Sequence, residues 1–422
     1  MTLVDAPASE LESLRAANEA FAAAYPGDPR DRQPVHTFYW GAQWFEADSV
    51  PRLGQTALRT LERYALSPGE LAHAVGLAGN LAPAIHARVR AKLQREPIED
   101  LRIDFEDGFG LHSDAEEDAT AMSAARALGR AVAEGIAPPF MGIRIKSLGD
   151  GGRRAGRTLD LFVGALLEET RGVVPPGFVV TLPKVNVTAH PRTLVRWLDR
   201  LEARHGLAPK SLRLEMMLET TQALIGADGL CPLPAFFDAC EGRCRGVHLG
   251  VYDFTASCGI AAAHQSMAHP MCELARGMMK LAYAGRGVWL SDGSTNVLPV
   301  GPHAGDGLTA AQWEENRAAV HRGWQLSYAH IRHSLETGFY QGWDLHPAQL
   351  PARYAACFAF YREGFASAAA RLQRYADQAA KTPSAVADEP ATVQALSSYV
   401  QRGIACGAID PDELAAAGIA QP

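Results

Sequence analysis

The sequence lacks the features that mark secreted and membrane proteins. Its seven cysteines are odd in number and widely spread, which argues against a disulfide framework and suits a reducing compartment. No run approaches the ~18 consecutive apolar residues of a membrane span. The acid-containing start, MTLVDAPASELESLRAANEAF, has no basic-then-apolar signal pattern. We therefore expect a cytoplasmic protein with no membrane partner.

An excess of positive charge is also missing. The 40 basic residues are outnumbered by 47 acidic ones, which gives a net charge of −7, and no basic block is interleaved with aromatic residues. Nucleic acid is therefore not an expected partner. The hydrophobic fraction of 47% and the charged fraction of 21% are typical of a globular protein. A small-molecule substrate is the expected partner.

Eight short apolar runs with strand composition alternate with helical stretches. This alternation predicts a parallel sheet, and eight such units predict an α/β fold of the (β/α)₈ TIM-barrel type. The helix after the second run is predicted by a capping box of Ser113 and Glu116. Pro270 and Gly338 are typical of a helix start and a helix end. The runs cover residues 36–42, 101–107, 141–145, 178–185, 212–219, 246–254, 287–293 and 339–346.

Two segments fall outside the barrel pattern. We predict a helical N-terminal extension over residues 1–30, the barrel over 31–382, and a helical C-terminal extension over 383–422. The helices of the C-terminal segment are too short to bury a core alone, so they should dock on the barrel or on a neighbouring subunit. We expect a homo-oligomer.

Charged side chains stand at the predicted strand ends, which share one face of a barrel. They are Glu106 and Asp107 on the second run, Arg144 on the third, Lys184 on the fourth, Glu219 on the fifth and Asp253 on the sixth. Because the fifth and sixth strands are neighbours, Glu219 and Asp253 would offer two oxygen ligands side by side. Mg²⁺ usually takes one or two carboxylates and completes its coordination with water or substrate. The pattern favours Mg²⁺ or Mn²⁺, and it indicates no other cofactor.

Five strings at these strand ends resemble one enzyme family. LRIDFEDG, IRIK, LPKV, LETTQAL and LGVYDFTASCG, the last followed by His269 and Pro270, resemble the HpcH/HpaI aldolase and citrate lyase beta-subunit family, which is related to malate synthase. The resemblance implies a (β/α)₈ barrel with a divalent metal at Glu219 and Asp253. It also implies that Arg144 contacts the reacting oxygens.

The resemblance further implies that the paired acids Glu106 and Asp107 orient this arginine and the metal's waters. We assign Lys184 to substrate binding, with a salt bridge to a neighbouring strand end as the alternative. Making or breaking a carbon–carbon bond beside a carbonyl requires an enolate, whose charge a metal and a guanidinium can hold. The expected function is therefore that of a metal-dependent carbon–carbon lyase acting on a hydroxyacyl-CoA-type thioester.

Three other functions stay open at this point. The DFTASCG string resembles a class II pyruvate-dependent aldolase acting on a hydroxy-2-oxo acid. A malate-synthase-like condensing enzyme is the second alternative. A barrel that has lost catalysis and serves as a binding subunit is the third, although Arg144, Glu219 and Asp253 have no reason to persist together in a decayed site.

Several polar positions permit two readings. The loop 292–301 either binds substrate oxygens or forms a surface turn. Asp344 and His346 on the last strand are candidates for proton transfer or for packing, and His269 is read as a cap. The first strand carries no arginine, so the residue that contacts substrate from that side is unidentified.

Overall fold

The computed structural model describes residues 8–29, 31–305, 307–379 and 390–419. Eight parallel strands close into one barrel in sequence order, each paired with the next and β8 paired with β1. The predicted (β/α)₈ fold is confirmed. The strands are β1 (His36–Gly41), β2 (Asp100–Asp104), β3 (Phe140–Arg144), β4 (Phe178–Leu182), β5 (Arg213–Leu218), β6 (Cys244–Leu249), β7 (Trp289–Ser294) and β8 (Gln341–Asp344).

Helices fill the connections between the strands and extend beyond both ends of the barrel. Within the described ranges they are α1 (Ala8–Ala24), α2 (Ser49–Tyr64), α3 (Pro68–Val75), α4 (Ala82–Arg95), α5 (Asp114–Ala133), α6 (Leu148–Glu169), α7 (Ala189–His205), α8 (Leu233–Asp238), α9 (Val251–Ser257), α10 (Pro270–Tyr283), α11 (Ala310–Glu336), α12 (Leu350–Ala379), α13 (Pro390–Ala405) and α14 (Pro411–Ala416).

The predicted helix signals lie where the structure places helix ends. Ser113 caps α5 and forms the capping box with Glu116, which ties down two backbone N–H groups at the start of the helix. His269 caps α10 by accepting a hydrogen bond from the backbone of Met271 at 3.2 Å. The reading of His269 as a cap is confirmed.

The lower half of the barrel interior is a buried polar network. Arg102 of β2 donates to Glu215 of β5 at 2.6 Å and to Thr181 of β4 at 2.8 Å, and it also pairs with Asp100. All four side chains are almost fully buried. Because a buried charge needs partners from several directions, this network fixes the relative positions of three strands.

A more apolar layer lies above this network. Tyr39 of β1, Met217 of β5 and Trp343 of β8 form one buried cluster, with the rings of Tyr39 and Trp343 4.9 Å apart. Trp343 donates its indole N–H to His248 at 3.0 Å, and His248 reaches Glu215 at 3.1 Å. The layer closes the barrel beneath its C-terminal face.

Asp344 faces outward from β8 rather than into the barrel. Its carboxylate accepts from Arg353 of α12 at 2.9 Å and bonds the His36 ring of β1 at 2.7 Å. These partners hold the pKa of Asp344 at about 2 against the effect of burial, which by itself raises it. His346 caps the short 3₁₀ turn that follows. Of the two readings of these residues, the structure supports packing and capping.

The C-terminal helices pack on the barrel's own helices. Leu414 of α14, Val400 of α13 and Ala368 of α12 form a buried cluster. Arg88 of α4 pairs with Asp410 at 2.6 Å. Docking on the same chain, the first of the two predicted options, is therefore observed. The predicted boundaries at residue 30 and between 382 and 383 fall on positions outside the described residues, so the domain limits stay a prediction.

The N-terminal helix α1 is unlike the other long helices because its described side chains are all exposed. In the part of the chain that the structure describes, no helix combines the length and the apolar character needed to cross a membrane.

Candidate active site

Charged side chains meet at the C-terminal face of the barrel. All six residues predicted for the site lie there, and ion pairs or hydrogen bonds connect them: Glu106, Asp107, Arg144, Lys184, Glu219 and Asp253. One placement differs from the prediction, because β6 ends at Leu249 and Asp253 lies in the first turn of α9. The helix brings its carboxylate back toward the barrel mouth, where a continued strand would have carried it away.

Arg144, the last residue of β3, is held by a bidentate ion pair. Its Nε donates to Asp104 Oδ1 at 2.7 Å and its Nη2 donates to Asp104 Oδ2 at 2.5 Å. Asp104 is the last residue of β2 and lies directly opposite Arg144 in the parallel pairing. Both side chains are buried. A planar guanidinium with two parallel hydrogen bonds has a fixed orientation, so Asp104 sets the direction in which Arg144 points.

Asp104 adds a contact to the orienting role predicted for Glu106 and Asp107, which itself stays a prediction. Both acids approach only Arg144 Nη1, at 3.3 Å and 3.6 Å. The strand ends at Asp104, whose carboxylate accepts from the backbone N–H groups of Glu106 and Gly108 at 3.0 and 2.8 Å. The chain therefore turns, and the alternation of faces expected for a strand does not extend to Glu106.

Glu106 and Asp107 differ in environment. Burial raises the pKa of Glu106, with Asp107 adding to the rise. Burial acts in the same direction on Asp107, but Arg144 and a hydrogen bond with Glu106 bring its pKa below the usual value. The side chain of Asp107 is 58% exposed, whereas that of Glu106 is buried. The loop after β2 thus presents one largely buried carboxylate, Glu106, and one exposed carboxylate, Asp107, at the C-terminal face of the barrel.

Lys184 connects the two sides of the site. Its Nζ lies 2.5 Å from Glu106, 3.4 Å from Asp107 and 3.8 Å from Asp253. Its backbone N–H donates to Glu219 Oε1 at 2.6 Å. The residue has a φ of +52°, in the left-handed region that side chains with a Cβ rarely adopt. The salt bridge foreseen as the alternative for Lys184 is present.

Glu219 is a buried acid whose side chain forms no ion pair in the part of the chain that the structure describes. It follows β5, and only 1% of its surface is exposed. Burial raises its pKa to about 8; Arg144 opposes this rise, while Asp253 and Glu106 add to it. Gly250 makes the room for this side chain, since a Cβ there would stand 2.4 Å from Glu219 Cβ and 2.5 Å from its Oε2.

These carboxylates fit a hard divalent cation. Glu219 is buried next to other acids, which is the arrangement that a bound cation would neutralise. Asp253, 44% exposed, adds a second oxygen ligand that water can reach. Among the described residues no group of three or more His, Cys, Asp or Glu side chains has metal-binding geometry. Two carboxylates completed by other oxygens are a ligand set that Mg²⁺ or Mn²⁺ accepts in proteins.

Two contacts of Arg144 were missed from the sequence. The Tyr39 ring lies 4.9 Å below the guanidinium, and Met217 Sδ lies 3.9 Å from Nη1. Tyr39 is thus the first-strand residue that contacts Arg144, and its hydroxyl has no hydrogen-bond partner among the described residues. The sequence signal for the Tyr39 contact was the alternation of side chains along a strand, which places Tyr39 on the inward face of β1.

Residues 292–294 of the predicted loop 292–301 belong to β7, and the first half of this segment is tied to the scaffold. Asp292 accepts from Arg276 at 3.1 Å and from Ser334 at 2.6 Å, and Thr295 bonds His330 at 2.9 Å. A cavity of about 800 Å³ lies at the opposite face of the barrel, lined in part by Trp289 and α13. It is separate from the charged cluster.

The chain was compared with solved structures. A citrate lyase from Burkholderia xenovorans LB400 is 20% identical, with a TM-score of 0.55 over 78% of this chain and 91% of that chain. The lead(II) complex of Haloferax volcanii malate synthase is 15% identical, with a TM-score of 0.48 over 77% and 74%. Protein CitE from Mycobacterium tuberculosis, in complex with magnesium and acetate, is 15% identical, with a TM-score of 0.42 over 78% and 91%. The likeness to the Burkholderia protein shows a shared fold.

No curated protein matches the sequence. A protein-family model described as a domain of unknown function, DUF6986, matches residues 14–421. That match covers nearly the whole chain, including the barrel and the described C-terminal helices. The chain therefore belongs to the DUF6986 family.

Proposed function

We propose that this protein is a divalent-metal-dependent carbon–carbon lyase of the citrate lyase beta-subunit kind, within the HpcH/HpaI group. It would cleave or form a hydroxyacyl-CoA-type thioester through an enolate. One observation carries the proposal: a guanidinium in a fixed orientation, Arg144, stands in the same charged cluster as Glu219, a buried acid that forms no side-chain ion pair within the described residues. The barrel shared with a citrate lyase supplies the scaffold, whereas the chemistry is argued from the site.

Nη1 of Arg144 carries two N–H groups that Asp104 does not use, and one of them contacts Met217 Sδ at 3.9 Å. Nε and Nη2 are taken by Asp104, and Nη1 faces Glu106 and Asp107 at longer distances. Breaking a carbon–carbon bond next to a carbonyl leaves an electron pair that delocalises onto the carbonyl oxygen as an enolate. Because the Asp104 pair has already oriented the guanidinium, Nη1 can donate to that oxygen with little reorganisation.

Glu219 and Asp253 would hold the cation. A bound Mg²⁺ or Mn²⁺ supplies Lewis acidity, which polarises a substrate carbonyl. Glu106, sheltered beside Lys184, keeps negative charge close to the guanidinium. Asp107, exposed at the mouth, lies where the substrate enters. The layer of Tyr39, Met217 and Trp343 keeps water from reaching Arg144 from below.

Proton exchange tests the proposal and identifies the donor. An enolate-forming site should exchange the α-protons of its donor for deuterium even without an acceptor. We expect acetyl-CoA to lose its methyl proton signals in deuterated buffer when Mg²⁺ or Mn²⁺ is present, if necessary with oxalate filling the place of the oxo acid. NMR follows the loss over time. Exchange of pyruvate instead would favour the aldolase branch.

Two controls accompany the exchange experiment. A chelator should stop the exchange, and Arg144→Lys should slow it strongly, because lysine keeps the charge but loses the planar set of donors. Exchange of neither compound by folded, metal-loaded protein would contradict the proposed enolate chemistry.

A further inference from the structure

The Lys184 ammonium lies among the acids to which a divalent cation would also bind. Its Nζ contacts Glu106 at 2.5 Å, Asp107 at 3.4 Å and Asp253 at 3.8 Å, so one ammonium bridges acids from the β2 loop and from α9. Asp253 is also one of the two carboxylates assigned to the cation. A divalent ion on Asp253 would therefore stand close to an ammonium that already lies 3.8 Å from Asp253 Oδ2.

The backbone of Lys184 indicates that this placement is specific. Its φ of +52° is costly for a residue with a Cβ, and glycine would adopt it freely. The same conformation lets the Lys184 N–H donate to Glu219 Oε1 at 2.6 Å. One residue thus contacts both proposed cation ligands, Glu219 through its main chain and Asp253 through its ammonium.

We propose that the Lys184 ammonium is an internal cation that holds the acids at the barrel mouth together until a divalent metal ion displaces it. This inference rests on the proposed function, since it takes Glu219 and Asp253 as the metal ligands. It adds that metal affinity is set by competition with Lys184. It also means that Lys184 becomes available to an anionic substrate only after the metal has bound, which couples the two binding events.

Calorimetric titration of the full-length protein with Mg²⁺ at fixed ionic strength tests the competition. Lys184→Met removes the ammonium and keeps an apolar side chain as long as the aliphatic part of lysine, whereas Lys184→Gly removes the ammonium and also relaxes the backbone. Both variants retain the N–H that Glu219 accepts from. Because two cations a few ångströms apart repel each other even in water, we expect both variants to bind Mg²⁺ at least about tenfold more tightly than the parent.

Lys146→Met is the matched control. Lys146 stands at the end of the neighbouring strand, but its ammonium contacts Phe105 O at 3.1 Å and Glu117 at 3.5 Å. Its removal should leave Mg²⁺ affinity within about twofold of the parent, because it lies outside the bridged acids.

Each other outcome has a definite meaning. Unchanged or weaker binding by both Lys184 variants would overturn the inference and leave the proposed function standing. Tighter binding by Lys184→Gly alone would assign the effect to backbone relaxation and would also overturn it. A parent protein that binds no Mg²⁺ would overturn both the inference and the metal-dependent function.

Discussion

The pair of Asp104 and Arg144 permits a quantitative test. Asp104→Asn preserves the shape of the side chain but removes its charge and half of its accepting capacity toward the guanidinium. Removing one partner of a buried ion pair costs about 3–5 kcal/mol, because the other charge stays buried and uncompensated. Glu106 and Asp107 lie 3.3 and 3.6 Å from the same guanidinium and retain part of the compensation. We therefore expect a loss of about 3 kcal/mol in the free energy of unfolding.

Urea unfolding followed by circular dichroism at neutral pH measures this loss. Asp107→Asn is the control, because it faces the same arginine but is 58% exposed, and an exposed pair contributes less than about 1 kcal/mol. The order of the two variants is the essential result. If Asp104→Asn lowered the free energy of unfolding by no more than Asp107→Asn does, the bidentate pair would not be what holds Arg144 in a fixed orientation.

Three further predictions concern the same face of the barrel. Gly250→Ala should weaken Mg²⁺ binding in calorimetry, because the added Cβ would collide with Glu219. Gly277→Ala is the control and should leave Mg²⁺ binding unchanged, because a Cβ at Gly277 meets nothing within 4 Å. Burial raises the pKa of Glu219 from 4.5 to about 8, so the metal-free protein should lose stability as pH rises across that interval, since the unfolded chain gives up its proton first. Glu219→Gln should remove this pH dependence of stability, measured by calorimetric melting in the presence of chelator. A variant whose stability fell with pH as steeply as that of the parent would refute the prediction. Arg144→Lys should fold with parental circular dichroism yet lose most turnover; parental turnover would reduce Arg144 to a structural ion pair.

The barrel could be predicted because its signals are local. Eight apolar runs with turn residues between them specify parallel strands, and a cap such as Ser113 with Glu116 marks a helix start without reference to the rest of the chain. The end of the sixth run was misread because GVYDF is rich in strand-forming residues. Gly250 breaks the strand there, and α9 begins at the next residue.

The site could be predicted less completely, because its geometry depends on pairing between strands. Charge at strand ends, together with the family resemblance, selected the six residues that the structure brings together. The choice of Asp104 as the partner of Arg144 follows from the β2–β3 register, in which the two are opposite. Tyr39 contacts Arg144 because both side chains point into the barrel from β1 and β3, the two strands that flank β2. The φ of Lys184 has no sequence signal, since no glycine stands there.

A crystal structure of the protein grown with Mg²⁺ and oxalate would show whether the cation and Arg144 act on the same bound oxygens. We expect one cation per barrel, coordinated by Glu219 and Asp253 and by oxalate oxygens, with Arg144 Nη1 donating to the bound oxalate and the Asp104 pair intact. A cation bound elsewhere, or oxalate bound out of reach of Arg144, would contradict the account of a metal- and arginine-assisted enolate.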